Sequence, residues 1–180
     1  MSLSRQQLFF ILVGTNGTGK TTLTKKLISG RKTLVIDPDG LEWGNLPTID
    51  MDEITQIKDG ASARVIAPDY KSIVSLVNYK HGNLVLDDCR YYVRSRIEEG
   101  VRQLLVRRRQ KDVDIFAVAH SLNEIPPTFW TFATHLVLFK IKDNPQRLKQ
   151  NIPKFKELTE KHIPEINGHK NHHYYRVINL

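Results

Sequence analysis

Residues 14–21 read Gly14-Thr15-Asn16-Gly17-Thr18-Gly19-Lys20-Thr21, a complete G-x-x-x-x-G-K-[ST] phosphate-binding loop. The three glycines let the backbone fold back so that several N–H groups point inward at one anion. A helix that starts at Lys20 adds about half a positive charge at the same point. Lys20 would reach the β- and γ-phosphates and the Thr21 hydroxyl would ligate Mg²⁺, with Thr22 beside it on the first helical turn. A second constellation, Leu84-Val85-Leu86-Asp87-Asp88, is an apolar run ending in two acids. Asp87 would hold Mg²⁺ directly or through water, and Asp88 would polarise an attacking water. A third lies at Ala117-Val118-Ala119-His120-Ser121. His120 would sit between the two nucleotide motifs if its strand is inserted between theirs, as a γ-phosphate sensor. A surface histidine at a strand end is the equal alternative. A run of arginines, Arg90, Arg94, Arg96, Arg102, Arg107, Arg108 and Arg109, offers an arginine finger or contacts to nucleic-acid phosphates. For most of them a solvated helix face is the simpler reading.

These residues need a scaffold, and the chain supplies one. Gln7 to Val13 is an apolar, β-prone run before the loop. Lys20 to Ser29 places Leu23, Leu27 and Ile28 at helical spacing and stops at Gly30. Lys32–Asp37 reads as a strand running into the breaker Asp37-Pro38-Asp39-Gly40. Residues 41–62 lack periodicity and read as a loop-rich excursion with one helical turn. A short strand at Ala63–Ala67 follows, then a helix over Tyr70–Lys80 with Ile73, Val74 and Val77 on one face. Asn83–Asp88 and Val113–Ala119 are buried-type strands flanking an amphipathic helix over Ser95–Arg109. His135–Ile141 is a further strand. Pro145–His162 is polar and partly helical, broken near Pro153, and Tyr174–Ile178 is a last, edge strand. Alternation of this kind predicts a single α/β domain over residues 1–180, a mostly parallel sheet flanked by helices.

Composition narrows the class. The 180 residues suit one domain, and 40% hydrophobic content suits a folded core. No run of about 18 apolar residues is present, and Met1–Gln7 does not introduce a signal peptide. The single Cys89 forbids an internal disulfide and fits a reducing cytosol, as a small buried hydrophobe. The net charge of +8 suits a polyanion partner such as nucleic acid.

Taken in order, these motifs resemble the HerA–FtsK superfamily of DNA-pumping ATPases, which includes viral genome-packaging ATPases. Val35-Ile36-Asp37-Pro38-Asp39-Gly40-Leu41-Glu42 is similar to that family's D-P-K-G segment. Arg109 stands where the family has an arginine before its next core strand, and His120-Ser121-Leu122-Asn123-Glu124-Ile125-Pro126 resembles its sensor segment. The similarity covers roughly residues 8 to 142. Two positions depart from the pattern: Asp88 replaces the usual glutamate and His120 the usual glutamine. The chain ends soon after the core, which makes a minimal packaging or mobile-element motor the nearer analogy.

The resemblance implies a P-loop NTPase core of the RecA/ASCE type, carrying Walker A and Walker B motifs. It implies a Mg-ATP-dependent motor on double-stranded DNA, working as a homo-oligomeric ring such as a hexamer. Arg109 would reach across the subunit interface. ATP and Mg²⁺ are the expected ligands, and the cytoplasm, the host's for a viral protein, the expected location. Two other readings stay open at this point, a small-molecule phosphotransferase of the nucleotide-kinase kind and a nucleotide-binding switch with little turnover.

Overall fold

In the computed structural model, which describes residues 6–93 and 95–180, seven strands form one sheet in the order β3-β2-β4-β5-β1-β6-β7. The strands are β1 (Phe9–Val13), β2 (Thr33–Asp37), β3 (Ser62–Ile66), β4 (Gly82–Leu86), β5 (Val113–Ala119), β6 (His135–Leu138) and β7 (Arg176–Asn179). All neighbours pair in parallel except β6 and β7, which are antiparallel. The helices are α1 (Lys20–Leu27), α2 (Tyr70–Ile73), α3 (Ser95–Lys111), α4 (Pro127–Phe132), α5 (Phe155–Glu157) and α6 (Ile163–Gly168). A π-helical turn, Leu158–His162, joins the last two. None of the described helices is long and apolar enough to cross a membrane.

Burial explains why the strands read as continuous apolar runs. Every residue of β2, β4 and β5 is buried, as a parallel sheet covered on both faces requires. The two faces are unequal. Phe9, Ile11, Leu34, Leu84 and Ile115 pack against Val101, Leu104 and Leu105 of α3, Phe129 and Trp130 of α4, and Ile166 of α6. Leu12, Val35, Val85, Phe116 and Val137 face a smaller cluster closed by Ile28, Leu23 and Trp43. Cys89 is fully buried, which pushes its thiol well above the usual range, so it is a core hydrophobe.

Two expectations change. The helix over Tyr70–Lys80 is a single α turn, α2, followed by a 3-10 stretch at Val74–Asn78. The tighter winding buries Ile73, Leu76 and Tyr79, not Val74 and Val77. Leu27 is 44% exposed, and the end of the first helix is anchored by Ile28 instead. The chain leaves this helix through Gly30 in the left-handed region, as a C-terminal glycine permits. Of the candidate arginines, Arg94 lies outside the described residues, as does the side chain of Arg96.

Candidate nucleotide site

The strand order puts the chemistry together. In a parallel sheet the loops after each strand gather at the carboxyl ends, and β5 lies between β4 and β1. His120, at the end of β5, therefore stands between the phosphate-binding loop after β1 and the acids after β4. A cleft of about 580 Å³ opens there. Asn16, Gly17, Gly19, Lys20, Thr21 and Thr22 line one part of it. Asp37, Asp39, Leu41 and Glu42 from the turn after β2, with Asp87, Asp88, Arg90 and His120, line the rest.

The loop is held from both sides. Gly14 N–H donates to the Ala119 carbonyl at 3.3 Å, and Thr15 N–H donates to the Lys140 carbonyl at 2.8 Å. Thr18, fully buried, donates from its hydroxyl to the Thr15 carbonyl at 2.9 Å. Gly19 adopts φ +95°, a left-handed turn that lets α1 begin at Lys20. Gly14 is required for a different reason: a Cβ there would lie 2.5 Å from Phe139 Cβ.

Lys20 curls back over the loop. Its ammonium donates to the carbonyls of Gly14 at 2.7 Å and Thr15 at 3.1 Å, and lies 3.4 Å from His120 Nδ1. Burial lowers its pKa, and the carboxylates of Asp87, Glu42 and Glu124 oppose that shift. Thr21 and Asp87 both line the cleft.

Asp87 and Asp88 are treated differently by their surroundings. Asp87 is buried, accepts from Trp43 Nε1 at 2.8 Å and from the Asp88 N–H at 3.0 Å. Desolvation raises its pKa, and the Trp43 hydrogen bond pulls it back. Asp88 sits at φ +45°, in the left-handed region that residues other than glycine, asparagine and aspartate rarely adopt. Arg90 grips it through Nε and Nη2 at 2.9 and 2.7 Å, and those bonds lower its pKa. His120 N–H donates to Glu124 at 3.1 Å, and Ser121 donates to Asp143 at 2.8 Å, which ties the sensor-like segment to the loop after β6. Asp37 accepts from Arg64 at 3.0 Å and from the Gly40 N–H at 3.1 Å, which fixes the turn after β2 at the cleft's rim.

Arg109 is not brought to this cleft. It is exposed at the end of α3, where its carbonyl accepts from Asp112 and the chain enters β5, at the end of the strands opposite the cleft. Arg108 is not on a solvated face at all: it is buried and donates to the carbonyls of Leu105 and Phe132. Arg102 and Arg107 are exposed on α3.

Two parts of the site carry no motif in the sequence. Trp43 lies in the aperiodic stretch after β2, where a large aromatic in a polar loop was the available signal. His173 reaches the cleft from the turn before β7, about 150 residues away in sequence from the loop it faces.

This sheet order, with a seventh strand antiparallel at the edge, can be matched to solved structures. The chain shares its fold with a viral genome-packaging NTPase. That NTPase is B204 of Sulfolobus turreted icosahedral virus 2, whose sulfate complex superposes with a TM-score of 0.66 over 97% of this chain and 92% of that one, at 14% identity. Its ATP-gammaS complex gives the same TM-score over 96% and 92%, at 13% identity. The pCW3 conjugation coupling protein TcpA, bound to ATPgS, matches with a TM-score of 0.61 over 97% of this chain and 58% of that one, at 11% identity. No family model and no curated protein sequence matches this chain. The resemblance drawn from the motifs thus holds at the level of fold.

Proposed function

We propose that this protein is a Mg-ATP-dependent motor ATPase of the HerA–FtsK superfamily that acts on double-stranded DNA as a ring oligomer. The observation that carries the reading is the convergence of the phosphate-binding loop, Asp87-Asp88 and His120 in one cleft, on a fold shared with a genome-packaging NTPase. The net charge of +8 supports a polyanionic partner.

In this scheme the amides of residues Asn16 to Thr21 and the Lys20 ammonium bind the phosphates. Lys20 exchanges its loop carbonyls for phosphate oxygens when nucleotide enters. The Thr21 hydroxyl and the Asp87 carboxylate are hard oxygen donors facing the same space, a set that suits Mg²⁺. When bound, the ion would neutralise charge on the β- and γ-phosphates. Trp43 holds Asp87 by one oxygen, leaving the carboxylate oriented. Asp88 accepts a proton from the water whose oxygen attacks the γ-phosphorus, while the β–γ bridging oxygen leaves on ADP. His120, next to Lys20, reports on the γ-phosphate. Catalysis is mainly positioning and charge stabilisation. Arg109, remote from its own cleft, would act on a neighbouring subunit's nucleotide.

One observation favours a second reading, a nucleotide-binding switch with slow turnover: both oxygens of Asp88 are engaged by Arg90. Product analysis separates the readings. Mg-ATP should yield ADP and inorganic phosphate, and Lys20→Ala should abolish nucleotide binding or turnover. Transfer of the γ-phosphate to an added nucleoside monophosphate would point to a phosphotransferase. Tight binding without turnover under all conditions would point to the switch.

A further inference from the structure

The turn between α6 and β7, residues 169–175, folds against the phosphate-binding loop and brings two histidines to it. His173 lines the cleft, and its Nδ1 would lie 3.4 Å from a Cβ placed on Gly19. His172 faces Gly17 in the same way, at 3.9 Å from Nε2, and lines an adjoining cavity with Thr15, Asn16, His120 and Lys142. The two rings lie 5.8 Å apart. Both side chains belong to exposed residues, so the core does not hold them in place.

The backbone that carries them is pinned. His173 N–H donates to Asn171 Oδ1 at 2.9 Å, and Asn171 N–H donates to His169 Nδ1 at 3.1 Å. The His169 ring stacks on Tyr174 at 3.8 Å, and the Tyr174 hydroxyl donates to Glu165 at 3.0 Å. Lys140 donates to the His169 carbonyl, and the Lys140 carbonyl accepts from Thr15 N–H in the phosphate-binding loop. The turn and the loop are thus two parts of one hydrogen-bonded unit.

The sheet order gives this turn a definite side. The acids of the cleft arrive from β2 and β4, on one side of β1. The histidines arrive ahead of β7, on the other. The loop lies between a carboxylate wall suited to metal and an imidazole wall suited to anions. We propose that His172 and His173 are nucleotide-contacting residues, donating ring N–H bonds to phosphate oxygens in addition to those from Lys20 and the loop amides. The proposal rests on the reading that this loop binds nucleotide.

The test uses the full chain and Mg-ATPγS, titrated by calorimetry against wild type, His172→Ala, His173→Ala, His173→Asn and Lys20→Ala. A hydrogen bond to a charged group corresponds to roughly tenfold or more in affinity. Each alanine variant should therefore bind about tenfold more weakly, with an unchanged melting temperature because the side chains are exposed. His173→Asn keeps an N–H donor and should recover most of the loss, which a purely steric role would not permit. Wild-type affinity in both alanine variants, with binding lost in Lys20→Ala, overturns the histidine assignment and leaves the loop reading standing. Absence of binding by the wild type overturns both.

Discussion

Arg90 clasps the Asp88 carboxylate through both oxygens, Nε to Oδ1 at 2.9 Å and Nη2 to Oδ2 at 2.7 Å, at the mouth of the nucleotide cleft. The pair has an electrostatic consequence. Arg90 holds Asp88 at the end of β4, and it also makes the carboxylate a weaker base. Removing Arg90 should raise the Asp88 pKa toward its ordinary value. Arg90→Ala is expected to lower kcat about tenfold through lost orientation and to move the acidic limb of the pH–rate profile upward. Asp88→Ala should lower kcat by roughly 10²-fold or more, the range for general-base catalysis. Steady-state rates from about pH 3 upward, a range that spans the ordinary aspartate value of about 3.9, check both.

The same pair sets a stability prediction. The folded-state pKa of Asp88 lies below its unfolded value, so the unfolded chain takes up the proton first as the solution is acidified. The stabilisation is fully present above about pH 4 and is lost as pH falls through the folded value. Arg90 is largely exposed, so the contribution is that of a screened ion pair, roughly 0.5 kcal/mol. Asp88→Asn, which tolerates the same left-handed backbone, should be less stable than wild type by about this amount at pH 7. The difference should vanish at low pH in parallel urea titrations.

Trp43→Phe removes the N–H that Asp87 Oδ2 accepts while keeping an aromatic ring in the small core. Losing a partner of a buried carboxylate costs about 1–3 kcal/mol of stability. The Asp87 pKa should rise further, because this bond lowers it. The Mg²⁺ concentration for half-maximal hydrolysis should increase severalfold, while Trp130→Phe, remote from the acids, should leave it unchanged. A magnesium titration of hydrolysis in both variants reads the effect.

Gly14→Ala places a methyl group 2.5 Å from Phe139 Cβ, an atom attached to the backbone of the loop after β6. That atom cannot rotate away, so the loop must shift. The expected cost is about 1–3 kcal/mol, typical of overpacking, with loss of nucleotide binding. Thermal melts and nucleotide titrations would show both, whereas Gly44→Ala, which meets nothing within 4 Å, should be silent.

The nucleotide loop and the paired acids are legible in sequence because each is a local pattern with a matching strand before it. The inserted position of β5 is a pairing property, and only the sheet order places His120 beside Lys20 at 3.4 Å. Trp43 and His173 reach the site from loops, whose direction is set by tertiary contacts and leaves no periodic trace. Ile73, Val74 and Val77 fit a 3.6 spacing and so predict a longer helix over residues 70–80, while the chain winds at three residues per turn after Ile73. Arg108 shows the reverse: a charge in a basic run that is buried against Phe132.

Arg109 supplies a test of assembly. It lies before the start of β5, at the end of the strands opposite its own cleft, so any role at the γ-phosphate must be exercised on a neighbouring subunit. Arg109→Ala and Asp88→Ala should each be inactive alone, and mixed subunits should regain part of the activity because some interfaces then carry both groups. No recovery in the mixture would count against a shared site.

Under the proposed motor function, this cleft hydrolyses ATP in the service of double-stranded DNA. The most direct measurement is phosphate release from Mg-ATP as double-stranded DNA is titrated, for wild type and Lys20→Ala. The rate should be slow without DNA, rise with it by about tenfold or more (roughly 1.4 kcal/mol off the barrier), and be absent in Lys20→Ala at every DNA concentration. A wild-type rate indifferent to DNA, or an active Lys20→Ala variant, would rule out a DNA-driven motor at this cleft.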